Sequence, residues 1–421
     1  MDVDYASEVR RPFIFNQGAT FSYSTFKGEA RFSEVRFKAE SYFAYVTFNQ
    51  HADFESTHFE GDVSFAQTLF KDFTVFSDST FLKSVTFLGS DFSGFVGFSR
   101  ARFHQRATFM MLRFKNGVVF DAAKFDQDVS FQEAIFDQGA TLRDTAFLGP
   151  MSFARATFDE KILFREVQFE ATTTFTGVDI LKDANVTFEK VNLGKVSFAD
   201  TNLELITFRD VTWTMPNSRF RPFALWDEFR PEDKSYRRDY EKIAENYRQL
   251  VINYEKKRDY DFAEIFHIGE METRRKKKGD KWRYKPPVFR WVKKWFNTHG
   301  LYRLSSTYGT NYWQATLVLA SLIILFSLSF LYAGFETERQ PSRLIQYNIV
   351  PNRSGETVSA TQWAKDFVEA VSFSLSIITF QQERFYKPIG LASTLLLYGA
   401  VIMLTAQLAM VVLAVRRTFK R

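Results

Sequence analysis

Residues 26–59 read FKGEARFSEVRFKAESYFAYVTFNQHADFESTHF, with Phe at 26, 32, 37, 43, 48, 54 and 59. The steps alternate between six and five. A helix of 3.6 residues per turn does not produce that spacing, and neither does a flat strand of period two. A short fixed period means a coiling chain whose every turn returns the same residue to the same interior column. Followed in both directions, the beat runs from Phe15 to Ile180. Of the 31 positions it defines, 29 are Phe, with Leu142 and Ile180 as the exceptions. So regular a column is a core, not a ligand box.

The residue two places before each Phe sharpens the picture. Ala19, Ala30, Val35, Ser41, Val46, Ala52, Val63, Thr68, Val85, Ala101, Ala107 and Val118 are all small or β-branched. Positions i and i−2 of an extended segment share a face. Each step therefore turns one large and one small side chain inward and leaves the rest to water. Towards the end the beat tightens to a strict five at Phe188, Leu193, Phe198, Leu203, Phe208 and Trp213.

Over residues 13 to 214 this pattern resembles the pentapeptide-repeat family, in which a small residue and a central Leu or Phe recur every five positions. The resemblance implies a β-solenoid, the right-handed quadrilateral pentapeptide-repeat β-helix. The added sixth residue departs from the family pattern. It predicts coils of 22 residues, about nine of them, and a rod of about 40 Å at about 4.8 Å per coil. Each buried Phe contributes about 1.5–3 kcal/mol.

Composition narrows the function. The chain has 421 residues, no Cys and a net charge of +6. Without Cys there is no disulfide and no thiol chemistry. The opening MDVDYASEVRRPF is acidic and polar and does not read as a signal peptide. The charge is uneven: residues 1–215 hold 22 Lys/Arg against 29 Asp/Glu, a net of −7, and the remainder is basic. Some pentapeptide-repeat proteins mimic DNA, which needs a dense acidic face. Here Arg100, Arg102, Arg106, Arg113 and Lys115 interrupt the acidic residues, against that reading. The five His (His51, His58, His104, His267, His299) are scattered. No phosphate-cradling loop, nucleophile arrangement or metal-ligand spacing stands out. The expectation is a protein that is not an enzyme, with no catalytic residue, no metal, no cofactor and no nucleic-acid partner.

Three domains are expected: 1–215 the solenoid, 216–300 a helical connector, and 301–421 a membrane unit. In the connector, Tyr236, Tyr240, Ile243, Tyr247, Leu250, Val251 and Tyr254 fall on one helix face. Asp259 then caps a second helix holding Phe262, Ala263, Ile265, Phe266 and Met271. The pair resembles a single tetratricopeptide-type hairpin, which would dock subunits or a partner; a packed linker is the plainer reading. A basic run, Arg274 to Lys278, precedes KWRYKPPVFRWVKKWF, where Trp282, Trp291 and Trp295 interleave with Lys and Arg. Just ahead of an apolar stretch, this reads as a segment on the membrane surface, with lipid as its partner.

No charged residue lies between Arg303 and Glu336 or between Lys387 and Arg416. Each gap holds enough apolar residues to cross a bilayer, so spans are expected over about 312–333 and 388–415. Trp313 and Tyr332 are placed as interface anchors. Both outer flanks are basic, which puts both termini and the solenoid in the cytoplasm of a multi-pass inner (cell) membrane protein.

Between the spans, residues 363–379 read as a helix too short and polar to cross. Span, short helix, turn and span together resemble the two-transmembrane pore-loop unit of the potassium-channel superfamily. Phe373, Ser374 and Leu375 match its pore helix, Thr379 the Thr before the filter, and Pro388 its Pro. The filter is degenerate: Phe380, Gln381, Gln382, Glu383 and Arg384 replace the glycine-bearing sequence whose carbonyls strip an ion of water. Potassium selectivity is not expected. A ring of Glu383 would attract monovalent cations, Arg384 would pair with or oppose it, and Thr405 and Gln407 are pore-lining candidates. The resemblance implies a homotetramer that passes cations, with the solenoid sensing or docking an unknown cytoplasmic protein partner. The alternative is a membrane-anchored scaffold without conductance.

Overall fold

The computed structural model describes residues 13–215, 221–232, 237–280, 286, 298–337, 343–347, 359–380 and 385–419. It falls into two compact units, Met1–Arg274 and Arg275–Arg421.

In the first unit the Phe columns become the inside of a β-solenoid of about nine turns with four parallel sheets. The first face runs from Ile14–Phe15 to Gln168–Phe169 and the second from Ala19–Thr20 to Val196–Ser197. The third runs from Thr25–Phe26 to Asp179–Ile180 and the fourth from Ala30–Arg31 to Ile206–Arg209. The 22-residue coil is as expected: Ile14 pairs with Arg36 and Phe15 with Phe37. Near the end the register changes, with Phe164 opposite Phe188 and Phe188 opposite Phe208. The longer coil takes in a turn closed by the Ala184 N–H on the Leu181 carbonyl, 3.0 Å. The shorter coil is the stretch where the beat is a strict five.

Inside, the rings stack along the rod axis and meet edge-on across it. Phe65 lies 5.0 Å from Phe87 with planes 3° apart, and 5.3 Å from Phe54 at 83°. Both are geometries in which ring quadrupoles attract, adding about 0.5–1.5 kcal/mol per pair beyond burial. The small inward column tolerates hydroxyls where they find a carbonyl, although the buried Thr173 hydroxyl has none among the described residues. Thr57 Oγ1 donates to the Phe32 carbonyl at 2.8 Å and Thr145 Oγ1 to that of Phe120 at 2.9 Å.

Every second corner is a turn with a left-handed residue. At the first, the Ser24 N–H reaches the Phe21 carbonyl at 3.1 Å and Tyr23 has φ 62°. Glu34, Tyr45, Ser56, Gln67, Asp78, Arg100, Met111 and Ala122 repeat it, with Gly at 89 and 177. Such a φ costs a side-chain-bearing residue about 1–2 kcal/mol. The coil compels it, because the same residue must hand its N–H to the next coil, as Glu34 does to the Glu55 carbonyl at 2.9 Å.

The connector closes the end of the solenoid. Helix α1 is Trp226–Phe229, α2 Tyr240–Lys256 and α3 Tyr260–Asp280. Asp239 caps α2 and Asp259 bonds the Phe262 N–H at the start of α3. Tyr254 and Phe266 extend the ring stack, with Phe266 5.3 Å from Trp213. The last coil has no next coil to receive its backbone bonds, and polar side chains take them. Asn253 Nδ2 donates to the carbonyls of Leu203 (2.8 Å) and Ile206 (2.7 Å), Asn246 Nδ2 to that of Phe198 (2.9 Å), and Gln249 Oε1 accepts the Leu203 N–H (2.8 Å). Buried Arg221 and Glu228 pair at 2.8 Å, and Tyr247 donates to Glu228 at 2.6 Å. Tyr236 and the basic–aromatic stretch holding Trp282, Trp291 and Trp295 lie outside the described residues.

The second unit contains α4 (Thr298–Ser306), α5 (Tyr312–Ala333), α6 (Ala360–Ile378) and α7 (Gly390–Thr418). Strands Phe335–Thr337, Arg343–Ile345 and Tyr386–Pro388 form a small antiparallel sheet with Phe335–Thr337 in the middle.

Two substitutions separate the cost of the corners from the gain of the core. Phe65→Ala is expected to lower the unfolding free energy of the solenoid by about 3–5 kcal/mol. Ala122→Gly is expected to raise it by up to about 1 kcal/mol, because Gly accepts the left-handed φ without penalty. Urea unfolding followed by circular dichroism reads both.

Candidate functional site

The second unit is built around two apolar helices. α5 begins where the Asn311 side chain accepts the Gln314 N–H at 2.9 Å, and stops at Gly334, whose φ of 89° ends the helix. α5 and α7 are 22 and 29 residues long, or about 33 and 43 Å, against a hydrocarbon core of about 30 Å. Both are long and apolar enough to cross a membrane. Leu317, Ile324, Leu391, Leu395 and Ile402 are exposed in the single chain, so each helix keeps an apolar face for lipid or a further copy.

α6 covers the short helix expected over 363–379 except for Thr379, begins three residues earlier, and packs on α5. Phe373 lies 4.5 Å from Phe330 and 5.2 Å from Phe335, and Tyr386 stacks on it at 5.1 Å. Ser327 and Ser374 hydroxyls meet at 3.0 Å inside this contact. About two turns nearer its start, the same buried face of α6 carries a clamp. Asp366 is buried and receives Arg343 at 3.0 Å, the Tyr347 hydroxyl at 2.6 Å and Gln362 Nε2 at 2.8 Å. Burial, and after it the bond to Asp366, pushes the Tyr347 phenol up to about 12. One helix turn on, Glu369 accepts from the Tyr386 hydroxyl at 3.0 Å. The small sheet is thus fastened to α6 at both outer strands.

The residues singled out for conduction fall as follows. Thr379 ends α6, its hydroxyl turned back to the Ser376 carbonyl at 3.2 Å. Phe380 is exposed with φ 55°. Gln381, Gln382, Glu383 and Arg384 lie outside the described residues. Pro388 ends a strand and pairs opposite Phe335. The Thr405 hydroxyl returns to the Val401 carbonyl at 2.5 Å. Gln407 is buried, and its Nε2 donates to the carbonyls of Ser305 at 3.0 Å and Ala315 at 2.9 Å. Its amide ties α7 to the end of α4 and the start of α5.

Close by, Arg417 donates to the Tyr308 carbonyl at 3.0 Å. At Gly309, φ 75°, an added Cβ would sit 2.7 Å from the Tyr302 hydroxyl and 3.0 Å from Leu413. This lock between the α4–α5 turn and the end of α7, like the Asp366 clamp, was missed from sequence. One signal for the clamp was available: Asp366 shares a helix with Phe367, Val368 and Phe373 and has no cation one turn away on that helix.

The surface of the solenoid differs in kind. Ion pairs join successive coils: Arg100 to Asp78 at 2.6 Å, Lys115 to Asp91 at 2.7 Å, Arg113 to Asp137 at 2.6 Å and Lys190 to Glu166 at 2.7 Å. Basic residues are spread among the acidic ones, which leaves no continuous acidic strip along these coils.

A family model described as pentapeptide repeats (9 copies) matches residues 13–58, 98–146 and 113–157. All of these lie in the solenoid, and the chain carries a pentapeptide-repeat domain. Neither the curated proteins nor the solved structures hold a match to the chain.

Gln407→Leu is expected to leave two carbonyls at helix ends without their donor and to lower stability by about 1–3 kcal/mol. Thermal unfolding of detergent-solubilised protein measures it. Thr405→Val, which loses only a bond within its own helix, is the comparison and is expected to change little.

Proposed function

We propose that the chain forms an oligomeric membrane pore, a homotetramer by analogy with two-span pore-loop proteins, that passes cations without selecting potassium. One observation carries the reading. A helix with a buried carboxylate and a buried serine is packed between two apolar helices, and the strand that precedes the second of them is fastened back to it. A scaffold needs only the spans; bracing a third helix between them serves a path through the membrane. A two-span chain cannot enclose a pore alone, and the exposed apolar faces of α5 and α7 suit neighbouring copies as well as lipid. In this reading Glu383 supplies negative charge at the mouth, and the missing filter glycines leave no carbonyl ladder to choose potassium. The basic flanks place the solenoid in the cytoplasm as a sensing or docking module.

The second reading is a membrane-anchored scaffold, and Gln407 favours it. Gln407, a buried amide of α7, spends both amide hydrogens on carbonyls of its own chain and offers none to a lumen.

Purified protein in planar bilayers, with its oligomeric state measured in detergent, decides between them. The pore reading expects a tetramer whose cation current falls in Glu383→Ala and whose permeability ratio of potassium to sodium is near one. A well-folded oligomer with no current, or a monomer, overturns it and leaves the scaffold.

A further inference from the structure

Two rings of the solenoid stand outside its core. From Phe32 to Phe208 every Phe is buried except Phe73 and Phe95, which are exposed. They precede the fourth sheet on successive coils and continue a stack that starts at His51. His51 lies 5.2 Å from Phe73, and Phe73 5.8 Å from Phe95. The outward strand residues beside them are Val75, Gly97 and Val119, in register from coil to coil. This face therefore holds an apolar ridge that the core does not use.

Over the next two coils the ridge stops. Its position is taken by Gly117 and Gly139, with φ 90° and 101°. An added Cβ at Gly139 would sit 2.4 Å from the Lys161 carbonyl oxygen, and one at Gly117 would touch the ring of Phe95 at 3.8 Å. The face is thus raised at two coils and low at the two that follow.

A surface raised and lowered in equal steps is complementary to itself. A twofold axis that crosses the strands between the coils of Phe95 and Gly117 lays a second copy antiparallel on the first, patch on identical patch. Phe95 then meets the partner's Gly117, Phe73 the partner's Gly139, and Gly97 the partner's Val119. The edges of the face agree with this register. Lys71 is exposed, has no ion pair of its own among the described residues, and lines up with the partner's Asp137. At the other edge Glu55 lines up with the partner's Arg165. Moving the axis half a coil one way sets Lys71 against the partner's Lys115. Moving it half a coil the other way sets Lys115 and Asp121 each against its own copy. Like charges so opposed are destabilising.

We propose that the solenoid pairs with a second copy of this chain through its fourth face, antiparallel, the Phe73–Phe95 ridge of each copy seated on the Gly117–Gly139 floor of the other. The proposal rests on the solenoid alone and stands whether or not the membrane unit conducts.

The chain has no Cys, so single cysteines in the full chain, purified in detergent and treated with a short bis-maleimide, test it. Ser99→Cys lies beside the axis and is expected to give a covalent dimer. Asp53→Cys is on the same face, but its counterpart, the partner's Leu163, is five coils away, about 24 Å. It is expected to stay unlinked, as is Ser64→Cys on the second face. Added to Ser99→Cys, either Phe73→Ser/Phe95→Ser or Val119→Lys is expected to cut the linked fraction about tenfold or more, with thermal unfolding unchanged. Three results overturn the proposal: no dimer from Ser99→Cys, which leaves the ridge to some other partner; a dimer from Asp53→Cys or Ser64→Cys as abundant as that from Ser99→Cys; or a linked fraction that neither ridge variant lowers.

Discussion

Ring stacking at a fixed coil length is the constraint from which the rest of the solenoid follows. A four-sided coil encloses little space, so its interior must be filled by flat groups that stack and meet edge to face. Phe does both, and a ring displaced by one residue would point into water. The 22-residue register is therefore set from inside, and the outside inherits it. Ion pairs such as Arg100–Asp78 and Arg113–Asp137 link one coil to the next because the interior brings those positions into line. Being largely exposed, each contributes about 0–1 kcal/mol. The stability lies within, which leaves the outer columns free to vary.

A solenoid closes its backbone bonds coil to coil and so leaves an open edge where it ends, the usual hazard of an unpaired strand. Here the chain meets the hazard with its own connector. Asn246, Gln249 and Asn253 sit on one face of α2 and take the place of a further coil, while Tyr254 and Phe266 carry on the ring stack. Asp227 does the same for the second face. Burial raises its pKa, only partly offset by the Ser197 and Phe198 bonds, so the cap uses a charged group in a place that disfavours charge. The first compact unit accordingly runs to Arg274, with the connector as part of the solenoid's end.

What could be read from the sequence had a period or a gap. Phe columns repeat, so the coil length and the number of coils were legible, as was the five-residue tightening beyond Phe188. Charge-free stretches marked α5 and α7 to within a few residues. The corners were not legible, because the left-handed positions hold Tyr, Glu, Gln, Asp and Arg where glycine would have been the cue. The cap was not legible either: Asn246, Gln249 and Asn253 look like any polar helix face until the backbone carbonyls and N–H they meet, some fifty residues back, are known. Gln407 shows the limit of reasoning from depth alone. A polar group amid apolar residues points to a partner, but spacing does not tell whether that partner is a lumen or the neighbouring helix.

The account depends most on two crossings of the bilayer with the solenoid on the inner side and the segment between α5 and α7 reaching the outer side. The absence of Cys makes this directly measurable with single cysteines. Asn352→Cys, in the segment between the apolar helices, and Glu55→Cys, on the solenoid, are treated in intact cells with a membrane-impermeant maleimide. The account predicts that Asn352→Cys reacts at once and that Glu55→Cys reacts only after the membrane is opened. Labelling of both in intact cells, or of Glu55→Cys alone, would contradict it.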